Sequence, residues 1–195
     1  LECLLDNGEN AFAVTPPEAA DPARAGNVFA KRGQKPVVLP QPAFDLAGNV
    51  MGSHISEFPV GRYKKAHRHG PGAHVTILSG QGYSMLWNEH GEVTRVDWKP
   101  GSVVVPPSQW FHQHFNSGAD PARYLALRWN SWRYNFVALG DDKPIEVSVK
   151  EGGTQIEYED EDPKIHEFFE SCLHKAGARC RMGSMVPWCT EKGEE

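Results

Sequence analysis

The sequence of 195 residues lacks the features that would place it in several large classes of protein. It has no apolar run of about twenty residues, which a membrane-spanning helix requires. Its opening residues, LECLLDNGEN, lack the basic start and apolar run of a signal peptide. The four cysteines are too few and too widely spaced for a disulfide framework, and Lys+Arg number 20 against 25 Asp+Glu. We therefore expect a cytoplasmic protein with neither nucleic acid nor a membrane as a partner.

What the sequence does contain is turn residues and short β-type runs. The 19 glycines and 15 prolines argue against a helical bundle. From Met51 onward, β-branched or aromatic runs alternate with Gly, Pro, Asn or Asp about every ten residues. These runs are HISEFPVG, HVTILSGQGYSMLW, GEVTRVDWKPGSVVVPP, WFHQHFNSG and ARYLALRWNSW. The spacing predicts an all-β fold, an antiparallel barrel or sandwich.

The composition divides the chain into three parts. Residues 1–50 are rich in breakers and are expected to form an N-terminal arm with short strands at Asn27–Ala30 and Val37–Leu39. Residues 51–140 are expected to hold the β-barrel. Residues 141–195 are expected to hold a strand, a solvated acidic stretch from Glu157 to Asp162, and a helix.

The helix has clear start and stop signals. Asp162 is expected to be its N-cap, Pro163 its first residue and Gly177 its end. We expect it to cover one end of the barrel with an apolar face made of Ile165, Phe168, Phe169, Cys172 and Leu173.

The residues at and after the end of this helix leave a second metal site open as an alternative. His174 lies near three cysteines in the sequence, so a zinc site formed with Cys172, Cys180 and Cys189 is conceivable. The absence of a Cys-x-x-Cys pair speaks against it.

Two histidine clusters carry the chemistry. AHRHGPGAH contains His67, His69 and His74, and WFHQHFN contains His112 and His114. Alternate residues of a strand share a face, so each His-x-His pair can point the same way and two pairs can meet inside a small barrel. Neutral imidazoles are common ligands of mid-row divalent metals. The clusters therefore predict a metal site.

These clusters lie within stretches that resemble a known family. GRYKKAHRHGPGAHVTILSG resembles the first motif of the cupin superfamily and GSVVVPPSQWFHQHFN the second, together covering roughly residues 61–116. The resemblance implies a cupin barrel (a double-stranded β-helix or jelly roll) and the metal ligands His67, His69 and His112. Ala73 stands where the family usually has a glutamate ligand. That departure resembles the gentisate and 1-hydroxy-2-naphthoate dioxygenases, which hold iron by three histidines.

The resemblance implies an enzyme of the oxidoreductase class. The leading hypothesis is a non-haem iron dioxygenase that combines O₂ with an aromatic or other oxygen-rich, anionic small molecule. One divalent ion is expected, Fe(II) first, with Mn, Ni, Zn or Cu as alternatives. A second hypothesis uses a redox-silent metal for isomerase, lyase or decarboxylase chemistry. A third is a cupin that binds a small molecule or metal without turnover.

Further residues are assigned around the metal. His74 is a fourth ligand or near-metal residue if a bulge at GPG turns it inward, and a surface residue otherwise. Catalytic or supporting contacts behind the ligands are assigned to His114, Gln113 and Asn116. The residues expected to line a substrate pocket are Trp110, Tyr83, Trp87, Arg128 and Trp129. The four histidines treated as ordinary loop or helix residues are His54, His90, His166 and His174. A homodimer is expected.

Overall fold

The computed structural model describes residues 12–14, 43–46, 51–70, 72–129 and 147–191. These residues form two short 3-10 turns, at Val149–Glu151 and Tyr158–Asp160, and an α-helix, α1, at Pro163–Lys175. The strands are β1 (Phe12–Val14), β2 (Ala43–Leu46), β3 (Met51–Phe58), β4 (Ala73–Ser79), β5 (Gly82–Trp87), β6 (Val93–Trp98), β7 (Val103–Val104), β8 (Phe111–Asn116) and β9 (Ala122–Trp129). No helix in the described ranges is both long and apolar enough to cross a bilayer.

The strands make two antiparallel sheets. One has the order β1-β2-β3-β9-β4-β7 and the other the order β6-β5-β8. Each β-type run from Met51 to Trp129 contains one or two of these strands, so the predicted all-β fold with a C-terminal helix is confirmed. The predicted strands Asn27–Ala30 and Val37–Leu39 lie outside the described residues.

The sheets face each other across an apolar and aromatic interior. On β4, Ala73, Val75 and Ile77 are buried while His74 is exposed, the two-residue period of a strand with one buried face. The ring of Trp98, from the smaller sheet, packs 6.2 Å from that of Phe58 in the larger one. The inner face of each strand therefore determines what lines the barrel.

A second core lies outside the smaller sheet. Tyr83 of β5 and Phe115 of β8 point away from the barrel and pack with Phe169, Leu173 and residues of the segment after α1. The predicted helix is confirmed, because it begins after Asp162, whose carboxylate accepts a hydrogen bond from the Lys164 amide at 3.0 Å. Its predicted location was wrong: α1 covers the outer face of a sheet rather than an end of the barrel.

The acidic stretch is also not uniformly solvated. Glu157 and Glu161 are 5% and 6% exposed. The Glu157 carboxylate accepts from the Lys65 ammonium group at 2.6 Å, and backbone hydrogen bonds run from Ile156 to Ala66 and from Arg68 to Thr154. The prediction failed because this stretch docks beside residues 63–68, where buried carboxylates find donors.

Candidate metal centre

Three imidazole rings converge inside the barrel. His67 and His69 precede β4, and His112 lies on β8. Their ligand nitrogens all lie within 4.8 Å of one another. His67 and His112 exchange two backbone hydrogen bonds, of 3.1 and 2.8 Å, which hold the two motifs side by side. The structure thus brings together the three residues predicted as ligands, and their binding of a metal stays a prediction.

Backbone carbonyls orient two of these rings. The Nδ1–H of His67 donates to the Lys65 carbonyl oxygen at 3.1 Å, and the Nδ1–H of His112 donates to the Trp110 carbonyl oxygen at 3.1 Å. Each bond leaves the Nε2 lone pair free for a metal, the arrangement found behind most metal-binding histidines. The donor set fits a mid-row divalent ion.

Burial keeps the imidazoles of His67 and His112 neutral. Loss of solvation lowers the pKa of His112 to about 4 and that of His67 well below its ordinary value. At neutral pH both rings therefore offer lone pairs rather than protons.

Strand β4, which follows the GPG sequence, determines which side chain occupies the position of a fourth ligand. Ala73 is buried and faces inward, so the site usually held by a glutamate carries only a methyl group. His74 is exposed on the opposite face, and the structure does not bring it to the cluster. His74 follows the regular two-residue alternation of β4, so it does not take the inward orientation considered for it.

His114 lies behind His112 on the same inner face of β8. Its ring centroid is 5.7 Å from that of His112 and 5.6 Å from that of Tyr124. Its Nδ1 shares a 2.7 Å hydrogen bond with the Ser84 hydroxyl, which also accepts from the Trp98 indole at 3.1 Å. Burial lowers the pKa of His114 well below its ordinary value, so its imidazole is neutral next to the three candidate ligands.

A buried lysine, which sequence reasoning missed, adds positive charge to this interior. Lys64 is 2% exposed and donates to the Ser56 hydroxyl at 2.9 Å and the Tyr124 hydroxyl at 2.5 Å. It also contributes to lowering the pKa of His112 and His114. The only sequence signal for Lys64 is its position in the first motif, close to the His-x-His pair.

Arg128 and His54 lie in the same part of the larger sheet, near Lys64. Arg128 shares the inner face of β9 with Tyr124 and Ala126 and pairs with Ala73 across the strands. Its charge contributes, after burial, to a pKa of His54 well below the ordinary value. His54, which the sequence gave no reason to single out, therefore lies near the site, and Arg128 has the position expected of an anion-binding residue.

Other predicted site residues lie elsewhere. Gln113 faces outward and donates to Glu161 at 2.6 Å, beneath the C-terminal segment. Tyr83 belongs to the outer core, and Trp87 stacks on Phe111 with centroids 5.6 Å apart. The pocket assignment failed for the last two because Ser84 and Leu86, not their odd-numbered neighbours, pair with His114 and His112 across the sheet.

Three further assignments resolve differently. The Asn116 amide donates to the carbonyl oxygens of Phe58 (3.1 Å) and Asp120 (2.9 Å), so it closes a turn rather than contacting the histidines. Trp110 is half-buried and touches the site through its carbonyl oxygen. For Trp129 only the backbone pairing with Met51 is described.

A residue with an unusual backbone stands at the entry to β8. Gln109, where the cupin pattern usually has glycine, has a φ of 64°, and its amide donates to the His69 carbonyl oxygen at 3.1 Å. A side chain in this left-handed region costs on the order of 1 kcal/mol. The hydrogen bond between the backbones of Gln109 and His69 joins the two histidine motifs at this turn.

Comparison with known proteins gives partial matches. No protein-family model matches the chain. It is 27% identical over 94 residues to glucose-6-phosphate isomerase of Thermococcus gammatolerans, and 24% identical over 94 residues to that of Pyrococcus horikoshii. Each match covers 47% of this chain and 50% of the relative, so the chain spans about half the length of the curated relatives it matches.

Solved structures overlap more loosely. One of them is a Bacillus subtilis oxalate decarboxylase that is described with Mn(II) centres; it is 17% identical to this chain and superposes with a TM-score of 0.43. The match covers 49% of this chain and 28% of the decarboxylase chain. The sequence relatives are isomerases. These matches do not support the predicted likeness to the gentisate dioxygenase group.

Proposed function

We propose that this chain is a divalent-metal enzyme that isomerises or cleaves an anionic, oxygen-rich small molecule, a phosphorylated sugar being the first candidate. The observation that carries the proposal is the convergence of three histidines, His67, His69 and His112, beside an inward-facing Ala73. Without a ligand carboxylate, the metal keeps its full positive charge for substrate oxygens. The similarity to archaeal glucose-6-phosphate isomerases supports the choice of substrate and reaction class.

The charge around the histidines favours an anion. Lys64 is buried within the barrel, and Arg128 lies on the inner face of β9 next to Ala73. A guanidinium group binds phosphate or carboxylate in a bidentate manner, and the surrounding protein strengthens that attraction. We assign Arg128 to the anionic group of the substrate and Lys64 to the general positive potential of the interior.

The chain's own residues supply proton transfer. A bound divalent ion would supply a Lewis acid that polarises a carbonyl or hydroxyl oxygen. His114 would accept a proton from the substrate because burial keeps it neutral, and the Ser84 hydroxyl holds its Nδ1. Returning that proton to the neighbouring carbon, together with transfer of a hydroxyl proton from one substrate oxygen to the other, completes an isomerisation.

Iron, O₂ and the homodimer stay predictions without support from the relatives. A redox-silent ion such as Mn(II) or Zn(II) suffices for the proposed chemistry, whereas the dioxygenase hypothesis needs iron and oxygen. The oligomeric state can be measured by light scattering of the purified chain.

The experiment is reconstitution of metal-depleted protein with Mn(II), Zn(II), Ni(II) or Fe(II), each in a separate sample. Interconversion of glucose 6-phosphate and fructose 6-phosphate, then of other phosphorylated aldoses and ketoses, is followed by NMR, with oxygen uptake recorded in parallel. We expect metal-dependent turnover without oxygen uptake. Oxygen uptake with hydroxybenzoates would instead favour the dioxygenase, and no turnover with any substrate would contradict an enzymatic function.

Matched variants connect the activity to the site. Arg128→Lys keeps the charge and loses the bidentate geometry, so we expect a higher KM for phosphorylated substrates with a smaller effect on kcat. His114→Gln should reduce kcat by roughly 100-fold or more at unchanged metal content. His90→Ala, in an exposed turn between β5 and β6, is the control and should change neither.

A further inference from the structure

A second group of ligand-type side chains lies beneath α1, outside the barrel. His166 and Glu170 stand one turn apart on α1, and Cys180 and Cys189 come from the segment that follows it. All four are buried, and one ligand atom of each lies within 4.8 Å of the others. These side chains take no part in the proposed reaction.

The spacing of the four atoms is close to that of a tetrahedral site. The Nε2 of His166 lies 3.1 Å from Oε1 of Glu170 and 3.9 Å from Sγ of Cys180. The Sγ of Cys189 lies 3.4 Å from Oε1 of Glu170 and 3.6 Å from Sγ of Cys180. Ligands held tetrahedrally at zinc-to-atom lengths of roughly 2.0 to 2.3 Å stand about 3.3 to 3.8 Å apart. The four atoms therefore surround a space of the size that zinc occupies.

The hydrogen bonds of His166 point its lone pair into this space. The Tyr63 hydroxyl donates its single proton to Glu161 at 2.7 Å and is 3.1 Å from Nδ1 of His166, so it accepts from the Nδ1–H. The lone pair then lies on Nε2, facing the Glu170 carboxylate, which already accepts from the Thr190 amide at 3.1 Å. Two acceptors at 3.1 Å are stable only with a proton or a cation between them.

The ligand set differs from the one suggested by closeness in sequence. His174 is 61% exposed in its side chain and bonds to Glu191 at 2.8 Å, and Cys172 is only half-buried. The fold instead selects His166 and Glu170, whose i,i+4 spacing puts them on one face of α1. Two cysteines, a histidine and a glutamate supply four ligands of types that zinc accepts, with no open position, as in a closed structural site.

We propose that His166, Glu170, Cys180 and Cys189 bind one structural zinc ion that joins α1 to the C-terminal segment. The ion would displace the thiol protons of both cysteines. It would hold the segment against the outer face of β5 and β8, the strands whose inner faces carry Ser84 and His112. The site is separate from the barrel centre, where the described residues place no thiol.

Cobalt substitution of the wild-type chain tests this directly. Metal-depleted protein is titrated with Co(II) under reducing conditions. We expect a thiolate-to-cobalt charge-transfer band and the strong d–d bands of tetrahedral cobalt, saturating with one ion per chain, and added Zn(II) should abolish them. Histidine ligands alone give no such charge-transfer band, so the barrel site does not produce this signal.

Variants then locate the ion. Cys180→Ser/Cys189→Ser should lose the charge-transfer band and one zinc ion per chain, measured by elemental analysis, while the barrel ion is retained. Cys3→Ser/Cys172→Ser is the matched control and should keep both. His67→Ala/His69→Ala should lose the other ion and keep the band.

Three outcomes would overturn the proposal. These are a wild-type chain without the thiolate band, a Cys180–Cys189 disulfide in freshly purified protein, and a band that survives in Cys180→Ser/Cys189→Ser. If that double variant does not fold, alkylation of the wild-type chain decides the matter. Cys180 and Cys189 should resist alkylation with zinc bound and react after chelation, and equal reactivity in both states would contradict zinc binding.

Discussion

Single side chains decide which part of the barrel can bind a metal. His67, His69 and His112 present nitrogens to a common point, whereas His74 stands one residue beyond the inward-facing Ala73 and is exposed. Because neighbours on a strand point to opposite faces, one position separates a ligand from a surface residue.

The first prediction concerns these histidines. His112→Ala should weaken metal binding at the barrel site by more than about 100-fold, since loss of a supporting contact alone costs about 10- to 100-fold. His74→Ala should leave the affinity unchanged. Isothermal titration with Mn(II) or Zn(II) measures both, and an equal loss in the two variants would show that His74 is a ligand.

The second prediction concerns Glu161. Burial raises the pKa of its carboxyl group to about 7 from the ordinary 4.5, against the opposing hydrogen bonds from Gln113 and Tyr63. The carboxyl group of Glu161 therefore binds its proton more tightly in the folded chain than in the unfolded chain. As the pH drops from about 7 toward 4.5, the group becomes protonated in the folded chain first, and the fold gains stability.

Glu161→Gln removes this dependence. Relative to wild type, we expect the free energy of unfolding of the variant to be larger, meaning a more stable fold, at pH 8 than at pH 5 by on the order of 2 to 3 kcal/mol. Urea denaturation at the two pH values measures it. A difference between variant and wild type that does not change with pH would show an ordinary pKa for Glu161.

At the scale of elements, the C-terminal segment is fixed to the first histidine motif. Residues 154–156 bond to the backbone of residues 66–68, and the buried Lys65–Glu157 ion pair, at 2.6 Å, lies next to them. Both side chains are less than a tenth exposed, so each requires the other as a partner.

A double-mutant cycle tests this pair. Glu157→Gln alone should destabilise the chain by about 3 to 5 kcal/mol, because it leaves the Lys65 ammonium group buried without a carboxylate. Lys65→Met/Glu157→Gln should cost less than this single change. Additive losses in thermal or urea unfolding would mean that the two charges do not interact.

The N-cap of α1 is a second prediction at this scale. Asp162→Ala should lower the free energy of unfolding by about 1 kcal/mol, since the Lys164 amide loses its acceptor. Asp162→Ser restores an acceptor and should recover most of the loss. Failure of serine to rescue would indicate that the charge, rather than the cap, matters.

At the scale of the whole molecule, strands β5 and β8 of the small sheet are covered on both faces. Its inner face carries His112 and His114, and its outer face carries Tyr83 and Phe115 under α1 and the following segment. The stability of the barrel is therefore expected to depend on α1 and the segment after it, although they contribute none of the three converging histidines.

A truncation tests that dependence. A chain that ends at Asp162 exposes the outer core and should bind a hydrophobic dye and lose cooperative unfolding. A chain that ends at Glu191 should behave as the full chain does. Unchanged cooperative unfolding of the shorter chain would show that the barrel is independent of α1.

The sequence by itself determined the features with local causes. The alternation of apolar and polar residues predicted the strands of the barrel, and the His-x-His pairs predicted that histidines meet inside it. Asp162 with Pro163 predicted where α1 begins. Only the tertiary structure decided which face of a sheet each element covers. It placed Tyr83, Trp87 and Gln113 outside the barrel, buried Lys64 and Glu161, and selected His166 over His174 to face the cysteines. Such choices depend on contacts between residues far apart in the chain, and local periodicity carries no information about them.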